Sequence, residues 1–103
     1  MQKHNELNND LVSVIIPVHN AEKYLDTCLT SISAQTYTNI EVICVLDSCT
    51  DYSEAIIKQY PQIKIYKVDF HNVSKTRNYG IKRAKGAYIA FNDADDKWHP
   101  QRL

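Results

Sequence analysis

Eight residues near the start of the chain, LVSVIIPV from Leu11 to Val18, leave few choices for how the rest can be arranged. β-Branched residues dominate the run, and it is too apolar for a strand with one face in water. It predicts a strand buried on both faces. Ile40 to Leu46 (IEVICVL) reads as a second strand of the same kind. Such strands need helices above and below their sheet, and the intervening segments have helical character. Tyr24, Leu25, Cys28, Leu29 and Ile32 recur at helical spacing, predicting an amphipathic helix capped by Asn20 and ending near Gln35. Asp51, with Glu54 three residues on, forms a capping-box pattern for a second helix that Pro61 stops after Tyr60. Ile63 to Val68 (IKIYKV) alternates apolar and polar and predicts a strand at a sheet edge. Ser74 to Lys85 predicts a third helix, ended by a left-handed Gly86, and Ala87 to Phe91 a fourth strand.

The order β-α-β-α-β-α-β with right-handed crossovers predicts an α/β fold. It is a Rossmann-like three-layer α/β/α half with a mainly parallel sheet of about four strands, ordered 3-2-1-4. Residues 1–10 read as a flexible lead-in and 11–103 as one unit. With 103 residues, 44% hydrophobic and 23% charged, that unit can bury a core without staples. Twelve Lys and Arg balance twelve Asp and Glu, which argues against a nucleic-acid partner. No apolar run approaches the roughly 20 residues that cross a bilayer, and no signal-peptide core is visible. Cys28, Cys44 and Cys49 form no CxxC pair, so the expected compartment is the reducing cytoplasm. With only Gly80 and Gly86 present, a dinucleotide fingerprint, a P-loop and a GxSxG elbow are all excluded.

Sheets of this kind bind ligands beyond the carboxyl ends of their strands, here at the switch point between strands 1 and 4. Strand 1 delivers Pro17, Val18, His19 and Asn20, and strand 2 delivers Asp47 to Asp51. Strand 4 delivers Asn92, Asp93, Ala94, Asp95 and Asp96, while the loop after strand 3 carries His71 and leads to Lys75 and Arg77. An Asp-x-Asp pair in extended backbone points two carboxylates to one side, about 7 Å apart. That suits a hard divalent ion on one and a sugar hydroxyl or water on the other, so Asp93 and Asp95 are candidate ligands for Mn²⁺ or Mg²⁺. Asp51 and Asp96 read as helix caps or solvated turn residues. Arg77 could pair with a diphosphate or with the aspartates. Tyr24, Tyr79, Cys28 and Cys44 read as core, Cys49 as a loop thiol, and Trp98 as packing or a ligand cover.

Between Lys58 and Lys85 lie eight basic residues against Asp69 alone. Most read as solvated faces. A nucleic-acid-binding module on this segment stays open as an alternative, although no aromatic platform interleaves the lysines.

Two long blocks, VSVIIPVHNAEKYLDTCLTSISAQTYTNIEVICVLD and SKTRNYGIKRAKGAYIAFNDADD, are together similar to the N-terminal half of family 2 glycosyltransferases of the GT-A fold. The resemblance implies that Pro17, Val18, His19 and Asn20 cradle a nucleoside and that Asp47 bonds its base, commonly uracil. It implies that Arg77 lies near the diphosphate or donor sugar, and that Asp93 and Asp95 form a D-x-D motif. The second of these is the usual ligand to Mn²⁺ or Mg²⁺, assisting departure of the nucleoside diphosphate. The implied reaction is inverting transfer from a UDP-sugar to a saccharide or lipid-linked acceptor, in surface polysaccharide synthesis. It would take place in the cytoplasm or at the inner face of the membrane. His19 replaces the usual tyrosine, Thr76 an alanine, and Ser48 the glycine of D-G-S-T-D, a loss expected to alter the backbone beside the base. The catalytic base is expected beyond Leu103. The chain thus reads as the donor-binding half of such an enzyme, truncated before the acceptor half, inactive alone and inclined to self-associate. A non-catalytic Rossmann-like fragment is the other alternative.

Overall fold

The structure, a computed structural model, describes residues 10–35 and 38–95. Most of the lead-in, Asp96, Trp98 and the segment at Pro100 lie outside them. The elements are β1 (Val12–Val18), α1 (Leu25–Ser33), β2 (Ile40–Asp47), α2 (Ser53–Ile57), β3 (Lys64–Val68), α3 (Val73–Arg83) and β4 (Tyr88–Phe91). All pairings are parallel and the sheet order is β3-β2-β1-β4. This is the expected α/β Rossmann-like architecture, with β3 at an edge. Among the described residues no helix is long and apolar enough to cross a membrane.

Period-two alternation splits the apolar runs between two cores. Val12, Val14, Ile16 and Val18 of β1 join Val42, Cys44 and Leu46 of β2 under α1 and α2. On the opposite face Ile15, Ile43 and Val45 pack with Tyr66 and Tyr79 beneath α3. Cys28 and Cys44 are core residues as expected. Tyr24 is not: it is 53% exposed, because α1 begins only at Leu25 after a turn closed on the Ala21 carbonyl.

Three other local expectations are corrected. Asn20 does not cap α1; it holds a left-handed φ of 47° and bonds across to the β2–α2 loop. Asp51 is not the N-cap of α2, a position held by Tyr52, although its Oδ1 accepts the Ser53 amide at 2.9 Å; Glu54 completes no box because Lys58 and Lys67 take its carboxylate. Gly86 has no positive φ, since α3 already ends at Arg83 and Ala84 turns extended. Its missing side chain serves close approach instead: a Cβ there would lie 2.7 Å from the Leu11 carbonyl oxygen and 2.6 Å from Ser13 Oγ.

Folding pairs half of the eight basic residues with carboxylates. Lys58 and Lys67 pair with Glu54, Lys64 with Glu41, and Arg77 with Asp93. The fold also assembles the aromatic row that linear order conceals, with Tyr79 edge-on to both Tyr66 and Phe70. Arg83 lies over that row, 3.4 Å from the Tyr79 centroid, and covers the face on which a base would stack.

Glu41 interrupts the apolar run of β2 and is a structural keystone. It sits opposite Ser13, and its carboxylate accepts from Lys64 Nζ at 2.7 Å, the Lys85 amide at 2.6 Å and Ser13 Oγ at 2.5 Å. Burial pushes its carboxyl up, but these donors outweigh it and bring it from 4.5 down to about 2. A depressed native value means stability that is present above 4.5 and lost as pH falls towards 2. Thermal melts should therefore show a falling Tm across that window, and Glu41→Gln should flatten part of the fall. A second expectation concerns Gly80, where a Cβ would lie 2.7 Å from Ile15 Cγ2 and 3.2 Å from Val45 Cγ2. Gly80→Ala gains about 1 kcal/mol of helix propensity but overpacks a rigid sheet at about 1–3 kcal/mol. Urea unfolding should show a net loss, and a variant of unchanged midpoint would contradict the close packing.

Candidate functional site

Three loops leave the carboxyl ends of the strands, and each turns on a non-glycine residue at positive φ: Asn20 at 47°, Ser48 at 57° and His71 at 50°. Left-handed residues with a Cβ are strained and concentrate at functional sites. Each is held by side-chain bonds. Asn20 Oδ1 accepts the Thr50 amide at 2.8 Å, Ser48 Oγ donates to Asp69 Oδ1 at 2.6 Å, and His71 Nε2 lies 2.9 Å from the same Asp69 oxygen. Ser48 thus keeps a left-handed turn where the related motif has glycine. The Ser48, His71 and Asp69 group is no nucleophilic triad, because serine and aspartate meet the same ring nitrogen.

Between these loops lie two cavities. One of about 340 Å³ is lined by Val18, Asp47, His71, Asn72, Val73 and Thr76 together with Pro17 and His19. The other, of about 210 Å³, is lined by Asn20, Ala21, Tyr24, Ala94 and Asp95 together with the same Pro17 and His19. Pro17 and His19 line both, so the two adjoin and together form a trough along the sheet edge. His19 stands at its middle, with Nδ1 2.8 Å from the Asp47 carbonyl. A carbonyl only accepts, so Nδ1 carries the proton and a neutral ring leaves Nε2 as an acceptor.

The Asp93-Ala94-Asp95 segment is not extended as expected. Ala94 is buried in the α1-side core, and Ala94 and Asp95 form a turn. Asn92 fixes this turn, its Nδ2 donating to the Asp93 carbonyl at 2.9 Å and to Cys28 Sγ at 3.2 Å. Asp93 points to Arg77, at 3.2 Å, while Asp95 lines the trough. Both aspartates are exposed. Among the described residues no three His, Cys, Asp or Glu side chains gather closely enough to hold an ion by themselves. One or two free carboxylates match the donor set that Mg²⁺ and Mn²⁺ take when phosphates complete the shell.

Asp47 is engaged more deeply than its place at a strand end suggests. Oδ1 accepts the Phe70 and His71 amides at 2.8 and 2.9 Å and lies 2.9 Å from Ser48 Oγ. Oδ2 accepts the Asn72 amide at 3.0 Å and the Thr76 hydroxyl at 2.9 Å. Burial raises its carboxyl, but these donors prevail and hold it far below the usual carboxylate range. Thr76 bears the hydroxyl that an alanine would lack; the sequence signal was the departure itself. Asp47→Asn would turn an NH₂ towards amide donors, costing roughly 2 kcal/mol or more. The amides of Phe70, His71 and Asn72 should then lose hydrogen-exchange protection ahead of the sheet, and retained protection would contradict this anchoring.

Known proteins resemble this chain in sequence and fold. Residues 13–103 match the family described as Glycosyl transferase family 2. Over 94 residues the chain is 42% identical to glycosyltransferase GlyA of Streptococcus pneumoniae, covering 87% of this chain and 14% of the relative. It is 45% identical to the minor teichoic acid biosynthesis protein GgaB of Bacillus subtilis, covering 82% of this chain and 10% of that one. The crystal structure of S. aureus TarS residues 1–349 in complex with UDP superimposes with a TM-score of 0.75 at 32% identity, covering 87% of this chain and 29% of that 1–349 chain. The chain therefore spans less than a third of each of these proteins. Fold, motif order and sequence agree, and the chain belongs to glycosyltransferase family 2.

Proposed function

We propose that residues 11–103 are the donor-binding half of a glycosyltransferase that takes its sugar from a nucleoside diphosphate, with UDP the favoured nucleotide. The observation that carries this reading is the continuous trough joining the Asp47–Thr76 cavity to Asp95 through His19. Its near end has the partly apolar walls suited to a base and ribose, with Pro17, Val18, His19 and Asn20 along the floor and rim. Asp47 would reach the base only through the loop it orders. The amino end of α3 gives a phosphate little, because Asp47 and Asn72 already take its amides. The diphosphate would therefore depend on Arg77 and on Asp93 and Asp95. Mn²⁺ or Mg²⁺ held by Asp95, with Asp93, would supply charge neutralisation for the departing diphosphate. Arg77 would orient the phosphates, and Tyr24 would shield the Asp95 end from water.

Transfer with inversion to a saccharide or lipid-linked acceptor, in the cytoplasm or at the inner face of the membrane, fits this reading. A role in surface polymer synthesis is supported by the likeness to GgaB. The base that activates the acceptor is assigned to no residue of this chain, so the chain alone should turn over little substrate. Tyr88, Ile89 and Phe91 are exposed on the edge strand β4, which supports self-association.

A protein-observed NMR titration with UDP, with and without Mg²⁺, tests the reading. Shifts at His19, Arg77, Asp93 and Asp95 that require the ion are expected. Asp95→Asn should weaken metal-dependent UDP binding about tenfold or more, the worth of one charge-assisted contact, with Tm unchanged. Absence of binding at millimolar UDP by a folded chain would remove the donor site and leave only the architecture.

A further inference from the structure

We propose that Asp93 makes this site select a metal-complexed diphosphate over the free anion, by occupying Arg77 until a cation takes the carboxylate. The inference rests on the donor-site reading above and concerns how that site discriminates. Arg77 Nη2 and Asp93 Oδ1 are 3.2 Å apart, with side chains 37% and 55% exposed, so the pair is open to ligand exchange. Arg77 is the only cation bonded to Asp93 among the described residues. A guanidinium already paired through Nη2 with a carboxylate offers a free anion less attraction, and an arriving phosphate also meets the charge of Asp93.

Two details indicate that the pair is a resting arrangement. Arg77 Nε is buried and has no hydrogen-bond partner, a cost that rotation of the side chain would relieve. The guanidinium lies 6.0 Å from the Phe91 ring centroid, a loose contact that allows such rotation. Asp93 has the complementary property: its backbone carbonyl is pinned by Asn92 Nδ2, so its carboxylate can change partners while the chain stays in place. A divalent cation on Asp93 removes both obstacles together, cancelling the negative charge and releasing Arg77 to the phosphates. Cation and diphosphate then strengthen each other's binding by one shared factor. The device is repulsive against the wrong ligand, which is how specificity is commonly obtained.

The test is a titration of UDP in EDTA, with no divalent ion, into the wild-type chain, Asp93→Ala, Arg77→Gln and the double variant. Asp93→Asn serves as a second probe and melting curves as a check on folding. Asp93→Ala should bind metal-free UDP about two- to fivefold more tightly than wild type, the size expected for an exposed ion pair. That gain should be clearly smaller in the Arg77→Gln background, where only the direct repulsion by Asp93 is relieved. Mn²⁺ alone should bind Arg77→Gln more tightly than wild type by a similar factor. An equal gain with and without Arg77 would reduce the effect to simple charge removal and overturn the inference, as would no gain. A wild-type chain that binds no UDP even with Mg²⁺ overturns the donor-site reading and this inference together. Metal-dependent UDP binding without an Arg77-dependent gain overturns the inference alone.

Discussion

The carboxylate of Asp47 organises the ligand edge of this domain. It closes β2, receives three consecutive amides from the β3–α3 loop and the Thr76 hydroxyl of α3, and so sets where that helix begins. Buried amides must find acceptors, and a loop of this shape has few of its own. One residue at a strand end thereby defines the start of α3. Gly80 defines its height above the sheet by letting it sit against Ile15 and Val45. The position of Arg77 relative to β4, and hence its reach to Asp93, follows from these two contacts.

This arrangement separates the site from Rossmann-like halves that carry a glycine-rich turn. Where a glycine-rich turn leaves helix amides free, a pyrophosphate can rest on the helix terminus. Here the comparable amides already donate to an aspartate and an asparagine, which leaves the charged side chains Arg77, Asp93 and Asp95 as the exchangeable groups at this edge. The Asp95 end of the trough is correspondingly adjustable, while its Asp47 end is firm.

Much of the architecture was legible in the sequence because two strongly apolar runs, each broken by a single polar residue, admit few placements. LVSVIIPV and IEVICVL demanded the centre of a covered parallel sheet, and the strand order followed. Local ends were less legible. Asn20 and Gly86 have the composition of a cap and of a left-handed stop, yet tertiary bonds and close packing use them otherwise. The placement of Pro17, His19 and Asp95 on one trough was readable from topology alone. The commitment of Asp47 to loop amides was hidden, because an aspartate at a strand end reads the same whether it faces a ligand or its own backbone. The Tyr66–Tyr79–Phe70 row was hidden too, since its members come from three elements.

With its two glycines committed to packing, the chain makes its left-handed corners from Asn20, Ser48 and His71. A glycine corner needs no neighbour to hold it, whereas each of these depends on a named side-chain bond. The rim is consequently stiff before any ligand arrives, so little ordering entropy remains to oppose binding. It is also mutually dependent: exchange of Asp69 would release two corners together, because Ser48 and His71 share its oxygen. Variation in this rim should therefore occur in matched sets of residues rather than singly, and a change in the shape of the trough would require several loops to change at once.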